Sequence, residues 1–589
     1  MTRTRLIRHQ FSLYCAGLLL GAASGAFGAA NPPVDPLDIT LTPIGRYTNG
    51  APYNLVAAEV VKHDPVMQRL YLANARDVRL DVIDIHNPAW PIKVGEVDLS
   101  PYGGTVTSVA VDHGLIAVAV VAAVKTDPGK VVILNPQLQV VNVVPVGALP
   151  DFITFTPNGR WVLTANEGEP NTYNDYGSET NGPSIDPEGS ITIIDLATGV
   201  ATPTVNTAAF TAFNDVPLDP GIRIFGPNAT VAQDLEPEGI AISADSTTAY
   251  VTLQENNAMA IVDIARATVT DLIGLGFKDH SQPGFGLDPS DQDGGNYIAN
   301  WPLWGIYMSD EVRAFEYRGQ TFLVMANEGD TRNYPGFNEE VKVSALTLDP
   351  TVFPNAAELK KTNNLGRLTV TKTLGDVDGD GDYDAIFSLG GRSFTIRTAT
   401  GEIVFDSGDQ FEQLTAALYP KNFNCSNSSN SRDGRSASKG PEPEGVALGK
   451  VAGRLLAFIG FERIGGIIVY DVSNPFSPEL VDYVNTRNFA NSRSARSWWI
   501  TSTRGTSPTH STSTRRAISA PKACASSAPA TAPTASRCWR WRTKSAAASY
   551  FTRSTNALTR PSCKLGEDRC GRAFAASGKG TRFLRCGPC

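Results

Sequence analysis

Glu236-Pro-Glu-Gly-Ile-Ala-Ile242 returns later in the chain as Glu442-Pro-Glu-Gly-Val-Ala-Leu448. Two further segments recur around it. Thr156-Pro-Asn-Gly-Arg-Trp-Val-Leu-Thr-Ala-Asn-Glu167 is echoed by Gln320-Thr-Phe-Leu-Val-Met-Ala-Asn-Glu328, and Val82-Ile-Asp-Ile-His-Asn-Pro88 by Val469-Tyr-Asp-Val-Ser-Asn-Pro475. Each unit reads as a strand, a turn, a strand ending in a polar residue, and a strand ending in Asp. Short β-rich runs such as Leu115–Val121 and Ile191–Asp195 fill the spaces between Gly, Asn, Asp and Pro turns. Long amphipathic helical patterns are missing between them, which points to an antiparallel all-β protein. Four-strand units repeated at uneven spacing are the mark of a β-propeller, because each blade buries its faces only against its neighbours. A pair of β-sandwiches is the competing architecture, and the three recurrences favour the propeller. The fold class expected for residues 31–489 is therefore all-β, a propeller of six to eight blades with seven the expected number. Loop insertions are expected near residues 170–190, 275–305 and 420–440.

One loop stands apart from the repeats. Asp376-Val-Asp378-Gly-Asp380-Gly381-Asp382-Tyr-Asp384 places carboxylates at positions 1, 3 and 5, with Gly381 for the sharp turn. Position 7, Asp382, offers a backbone carbonyl, and Asp384 closes the site at position 9. Hard oxygen donors at this spacing select Ca2+. An EF-hand needs a glutamate at position 12, where Phe387 stands, and the flanks Leu368-Thr-Val370 and Ala385-Ile-Phe387 read as strands. The expected site is a strand–loop–strand calcium loop with a structural role, since clustered carboxylates repel one another without a cation.

Histidine is sparse in the body (His63, His86, His113, His280), and none sits in a hydrolase or zinc motif. The catalytic candidates are instead the repeated acids Glu167, Glu238, Glu328 and Glu444. Equivalent positions on successive blades can face a common channel, where carboxylates would bind a second divalent metal able to activate water. The plainer reading of each acid is a turn cap or an acceptor for backbone N–H groups.

The two ends of the chain differ from this body. Arg3, Arg5 and Arg8 precede the apolar stretch Leu13–Leu20 and the mostly small-residue run 21–30. That order is expected for a secretory signal peptide over residues 1–30, because the apolar stretch is short for a bilayer span. The mature chain is then exported, with no later transmembrane segment. Residues 491–589 carry 18 Lys/Arg against 2 Asp/Glu, whereas residues 1–490 carry 33 against 57. Six of the eight cysteines also fall in this basic tail.

Several stretches carry a family resemblance: Ala-Asn-Glu-Gly-Glu-Pro at 165–170, Leu-Glu-Pro-Glu-Gly-Ile at 235–240, and the 373–384 calcium loop with its lead-in. Gly391-Arg-Ser-Phe394, Phe405-Asp-Ser-Gly-Asp-Gln-Phe-Glu412 and the 442–475 stretch add to them. Over roughly residues 40–489 the chain resembles the choice-of-anchor I family. Its members are exported bacterial propellers similar to the mesenchyme-specific cell surface glycoprotein and to proteins labelled atypical alkaline phosphatases. The resemblance implies a surface or periplasmic propeller, while the phosphatase label brings no residue-level motif with it.

After Phe489 the resemblance stops, although the family pattern calls for one more Gly-Pro-Glu-Gly and one more Ala-Asn-Glu. Back-translated and read from the third base, Ala517–Cys524 can give Asp-Leu-Gly-Pro-Glu-Gly-Leu. At the same offset, 529–544 can give a run ending in Ala-Val-Ala-Asn-Glu. A frameshift near residues 489–495 is the expected cause, leaving 490–589 as a disordered, out-of-frame tail without a nucleic-acid role. Cys586-Gly-Pro-Cys589, which looks like a redox dithiol, is then accidental.

The function expected from all of this is an exported, calcium-stabilised propeller, monomeric, acting as a cell-surface or periplasmic binding module. The alternative is a metal-dependent phosphoesterase, alkaline phosphatase- or phytase-like, taking a phosphate ester at the channel acids.

Overall fold

The computed structural model describes residues 39–48, 58–173 and 184–490. The leader at 1–30 and the tail beyond residue 490 lie outside these residues, as does the centre of the insertion expected at 170–190.

Among the described residues are six four-stranded antiparallel sheets. They begin with Val61–Asp64, Thr105–Asp112, Pro150–Phe155, Pro237–Ile242, Val312–Tyr317 and Pro443–Val451, and are called blades 1 to 6 in that order. In five of them the strands pair in strict chain order. Each gap between consecutive blades is filled by its own apolar cluster. Tyr71 and Leu80 of blade 1 meet Val109 and Val118 of blade 2, and Ala117 and Ile133 of blade 2 meet Ile153 and Val162 of blade 3. Leu163 meets Val251 between blades 3 and 4, Met259 meets Leu323 between blades 4 and 5, and Phe394 meets Tyr470 between blades 5 and 6. Sheets stacked face to face in chain order, each touching only its neighbours, are a β-propeller. Burial on both faces explains why the second strands, such as Leu115–Val121 and Trp161–Asn166, are apolar almost throughout.

Blade 5 breaks the simple order. Its second strand, Gln320–Asn327, pairs with Ser393–Thr398, and residues 328–392 are inserted between them. Part of this insertion joins Phe277–Asp279 and Trp304–Ile306 in a five-stranded satellite sheet with Phe387–Ser388, Thr369–Thr371 and Glu340–Lys342. Leu287, Leu303, Val343, Leu365 and Ile386 form a separate core beneath it. The expected insertions near 275–305 and 420–440 are present. The first supplies satellite strands, and the second follows the helix Gln410–Leu418 and is folded over Phe423 and Cys425, both fully buried.

The first described segment reaches the last blade. Ile39 and Leu41 pack on Leu456, Val469 and Val481. The Leu41 amide donates to Asp482 Oδ2 at 2.7 Å, and Arg46 donates to the Thr486 carbonyl at 3.1 Å.

Candidate functional site

The first strand of each blade contacts the first strand of the next through blade 6, so these strands line the axial channel. In blades 2, 3, 4 and 6 that strand carries a β-bulge. The register shifts between Val106 and Ser108, around Asp151, between Pro237 and Ile240, and between Pro443 and Val446. Blades 1 and 5 show the same irregularity as paired backbone bonds. Glu59 N donates to Ala73 O while Ala73 N donates to Val60 O, and Asp310 N donates to Ala326 O while Ala326 N donates to Glu311 O. An extra residue in one strand bends it and re-aims a side chain. The residues at these bulges are Glu59, Thr107, Asp151, Glu238, Asp310 and Glu444, five of them acidic.

A second set of acids follows the second strands. Glu167 succeeds Trp161–Asn166, Glu328 succeeds Gln320–Asn327 and Glu462 succeeds Arg454–Phe461, with Gln254 and Glu255 after Thr248–Leu253. The four acids singled out from the sequence therefore do not form one ring. Glu238 and Glu444 lie at the bulges, and Glu167 and Glu328 at the strand ends. Glu59, Asp151, Glu255 and Asp310 join them without any shared motif.

The two sides of the channel differ in compensation. Around blades 5 and 6, Lys439 Nζ approaches Glu328 Oε1 and Glu442 Oε2 at 3.3 Å each. Arg435 and Arg463 pair with Glu442 at 2.6 and 2.8 Å, and Gln254 Nε2 donates to Glu328 Oε2 at 3.0 Å. Burial would raise Glu442, but Lys439, Arg435 and Arg463 outweigh it and hold the carboxyl below its usual range. Glu328, Glu442 and Glu462 bring oxygens within 4.8 Å of one another, a spacing that a cation could use, yet these bases already neutralise them. Burial, with Glu442 and Glu444 adding to it and Lys439 opposing, leaves Glu328 at about 8. Glu444 is exposed, yet the protein packed around it, followed by Glu462 and Glu59, raises its carboxyl to about 7.

Five acids spread over blades 3, 4 and 5 lack such ion pairs. Among the described residues, no ion pair reaches Asp151, Glu167, Glu238, Glu255 or Asp310. Burial, with Glu59 and Glu169 adding to it, raises Asp151 to about 6, and burial with neighbouring carboxylates pushes Glu167, Glu238, Glu255 and Asp310 well above the carboxylate range. Lys62 and Arg313 lie over the Phe152 ring at 5.7 and 5.3 Å, and Arg313 pairs with Glu311.

The aspartate loop lies on the satellite sheet. Its flanking strands are Thr369–Thr371 and Phe387–Ser388, paired antiparallel, so the strand–loop–strand arrangement stands. Gly379 and Gly381 have φ of +78° and +94°, a left-handed backbone that accounts for glycine at both positions. Asp376 accepts from Gly379 N at 2.8 Å and Gly381 N at 3.1 Å, and Asp384 accepts from Val377 N at 3.1 Å. Carboxylate oxygens of Asp376, Asp378 and Asp384 come within 4.8 Å of one another, as do those of Asp349, Asp382 and Asp384. Asp380 falls in neither group and accepts from the Asp382 amide at 3.0 Å. Asp349 is brought in from outside the loop, its amide bonding Tyr383 O at 3.1 Å. Burial, followed by neighbouring aspartates, raises both Asp382 and Asp384. An oxygen-only donor set under mutual repulsion fits a calcium ion.

The chain is similar to several known proteins. Gigasin-3a of Magallana gigas is 39% identical over 116 residues, 19% of this chain and 40% of that protein. The mesenchyme-specific cell surface glycoprotein of Strongylocentrotus purpuratus is 28% identical over 283 residues, 42% of this chain and 36% of that protein. The chain thus spans about two fifths of the curated relatives it matches. Among solved structures, hydrazine synthase of Kuenenia stuttgartiensis aligns with a TM-score of 0.37 at 14% identity, covering 72% of this chain and 80% of that one. The Cps50 (Swd1) β-propeller domain of Myceliophteria thermophila aligns with a TM-score of 0.34 at 9% identity, covering 73% and 87%. The model of the choice-of-anchor I domain matches residues 59–475, from the first bulge acid to the last turn of blade 6. With most of its length matched, the chain belongs to the choice-of-anchor I domain family.

Proposed function

We propose that this protein is an exported, calcium-stabilised β-propeller that serves as an interaction module at the cell surface or in the periplasm. The observation that carries the calcium part is Asp384, shared by two carboxylate groups that also draw in Asp349. A cation there ties the loop to the chain around Asp349 and so stiffens the satellite sheet. Export and surface placement draw support from the family and from a relative named as a cell surface glycoprotein. No helix among the described residues is long and apolar enough to cross a membrane.

Phosphate-ester hydrolysis is the second reading, favoured by the uncompensated acids of blades 3, 4 and 5. One assay separates the two. The purified full chain is given a generic phosphate ester with and without chelator, and its melting is followed under the same conditions. Calcium-dependent melting without turnover supports the interaction module. Chelator-sensitive turnover that disappears in Glu238→Gln and Glu444→Gln would replace it with the enzyme.

A further inference from the structure

We propose that Lys278 and Asp406 become joined by an isopeptide bond, a covalent cross-link between the satellite sheet and blade 5. Lys278 is the middle residue of the satellite strand Phe277–Asp279, and Asp406 ends Ile403–Asp406, the outer strand of blade 5. The two lie 128 positions apart in the chain, yet Lys278 Nζ comes to 3.3 Å from Asp406 Oδ1. Their side chains are 1% and 5% exposed, so water has little access to either. Cys425 is the only cysteine between residues 31 and 490, so no disulfide can form within this body.

An ordinary buried ion pair is the plainer account, and three observations set this pair apart. The other described pairs with both side chains at most 5% exposed all use arginine: Arg223 with Glu339, Arg332 with Asp234 and Glu236, and Arg392 with Glu412. A guanidinium keeps its proton, whereas a desolvated lysine gives one up and becomes a nucleophile. Burial holds the Lys278 amine below the usual lysine range, with Asp406 opposing. Second, 3.3 Å is long against the about 2.7–2.9 Å of a charge-assisted bond. The carboxyl is fixed by other donors instead, the Tyr307 hydroxyl on Oδ2 at 2.9 Å and Gly408 N on Oδ1 at 2.8 Å. Third, Nζ also meets the carbonyls of Gly391 at 3.0 Å and Gly408 at 2.9 Å, which can accept from an amide N–H. In the reaction Nζ attacks Asp406 Cγ, the Nζ–Cγ bond forms and the Cγ–Oδ1 bond breaks. Two of the three ammonium protons leave with Oδ1 as water, and the third stays on the amide nitrogen. No oxidant or cofactor is needed. A neutral amide replaces two charges whose burial is costly.

The test is mass spectrometry of the full chain, intact under denaturing conditions and after proteolytic digestion. The wild type is expected to weigh one water less than the sum of its residues, and its digest to contain a branched peptide joining Lys278 to Asp406. Lys278→Arg and Asp406→Ala are expected to keep the full mass. A wild type of full mass, with the two residues recovered on separate linear peptides, would overturn the proposal and leave an ion pair. Loss of water without the branched peptide would overturn it as well, because dehydration at an Asp-Gly step such as Asp378-Gly379 gives the same mass. Both wild-type readings hold even where a variant fails to fold.

Discussion

Arg332, from the insertion of blade 5, forms a wholly buried ion pair with Asp234, which closes the short helix leading into blade 4. Its second nitrogen donates to the Asp234 carbonyl at 2.6 Å and approaches Glu236 at 3.1 Å. Removing one member of such a group strands the charges that remain. Arg332→Ala is therefore expected to cost about 3–5 kcal/mol, measured by urea unfolding. A cost below about 1 kcal/mol, the scale of an exposed pair, would mean that water reaches Asp234.

The calcium loop makes its own prediction. A ligand that binds only the folded state stabilises it by about 2.7 kcal/mol when present at 100 times its dissociation constant. Saturating calcium is expected to raise the melting temperature of the wild type, and Asp384→Asn to abolish most of that rise. Asp380→Asn, outside both carboxylate groups, is expected to reduce it least. Equal effects at the two positions would refute the arrangement described for the loop.

Stability of the metal-free protein is expected to fall as pH rises from about 4 to 8. Asp151, Glu444 and Glu328 hold protons to about 6, 7 and 8 in the fold, against about 4 in an unfolded chain. The folded state binds more protons over that interval, so its advantage is complete at low pH and is lost as each group ionises. Melting curves between pH 5 and 8.5 in chelator should drop by several degrees. A metal-free profile that rises over this range would contradict the buried acids.

Gly239 tests the bulge geometry. A Cβ built there would sit 2.6 Å from the Asp310 carbonyl and 2.9 Å from Thr252 Oγ1. Gly239→Val is expected to cost about 1–3 kcal/mol through overpacking, measured by urea unfolding. Unchanged stability would show that the strands from blades 4 and 5 can separate there without consequence.

The blades were legible because their second strands repeat whole motifs, as in the Ala-Asn-Glu runs ending at Glu167 and Glu328. The aspartate loop at 376–384 was legible from aspartate spacing alone. Asp349 was not, because it reaches the loop through a parallel bridge from Leu348 to Tyr383 that local sequence does not encode. The insertion at 328–392 was missed because its short strands look like blade strands, and only pairing shows that Asn327 continues to Ser393. Asp151, Asp310 and Glu59 sit in Pro-Asp-Phe, Ser-Asp-Glu and Ala-Glu-Val, which share nothing with Glu-Pro-Glu-Gly. Their equivalence is one of register, set by bulges that change backbone direction without requiring a particular side chain.

The clasp between Leu41 and Asp482 spans 441 positions of sequence. A contact of that range cannot form until nearly all six blades have been made, and long-range pairings delay folding while their loop entropy is overcome. Blades emerging first therefore wait with one flank uncovered. The architecture therefore locks last, when the segment at Leu41 meets the strand that carries Asp482.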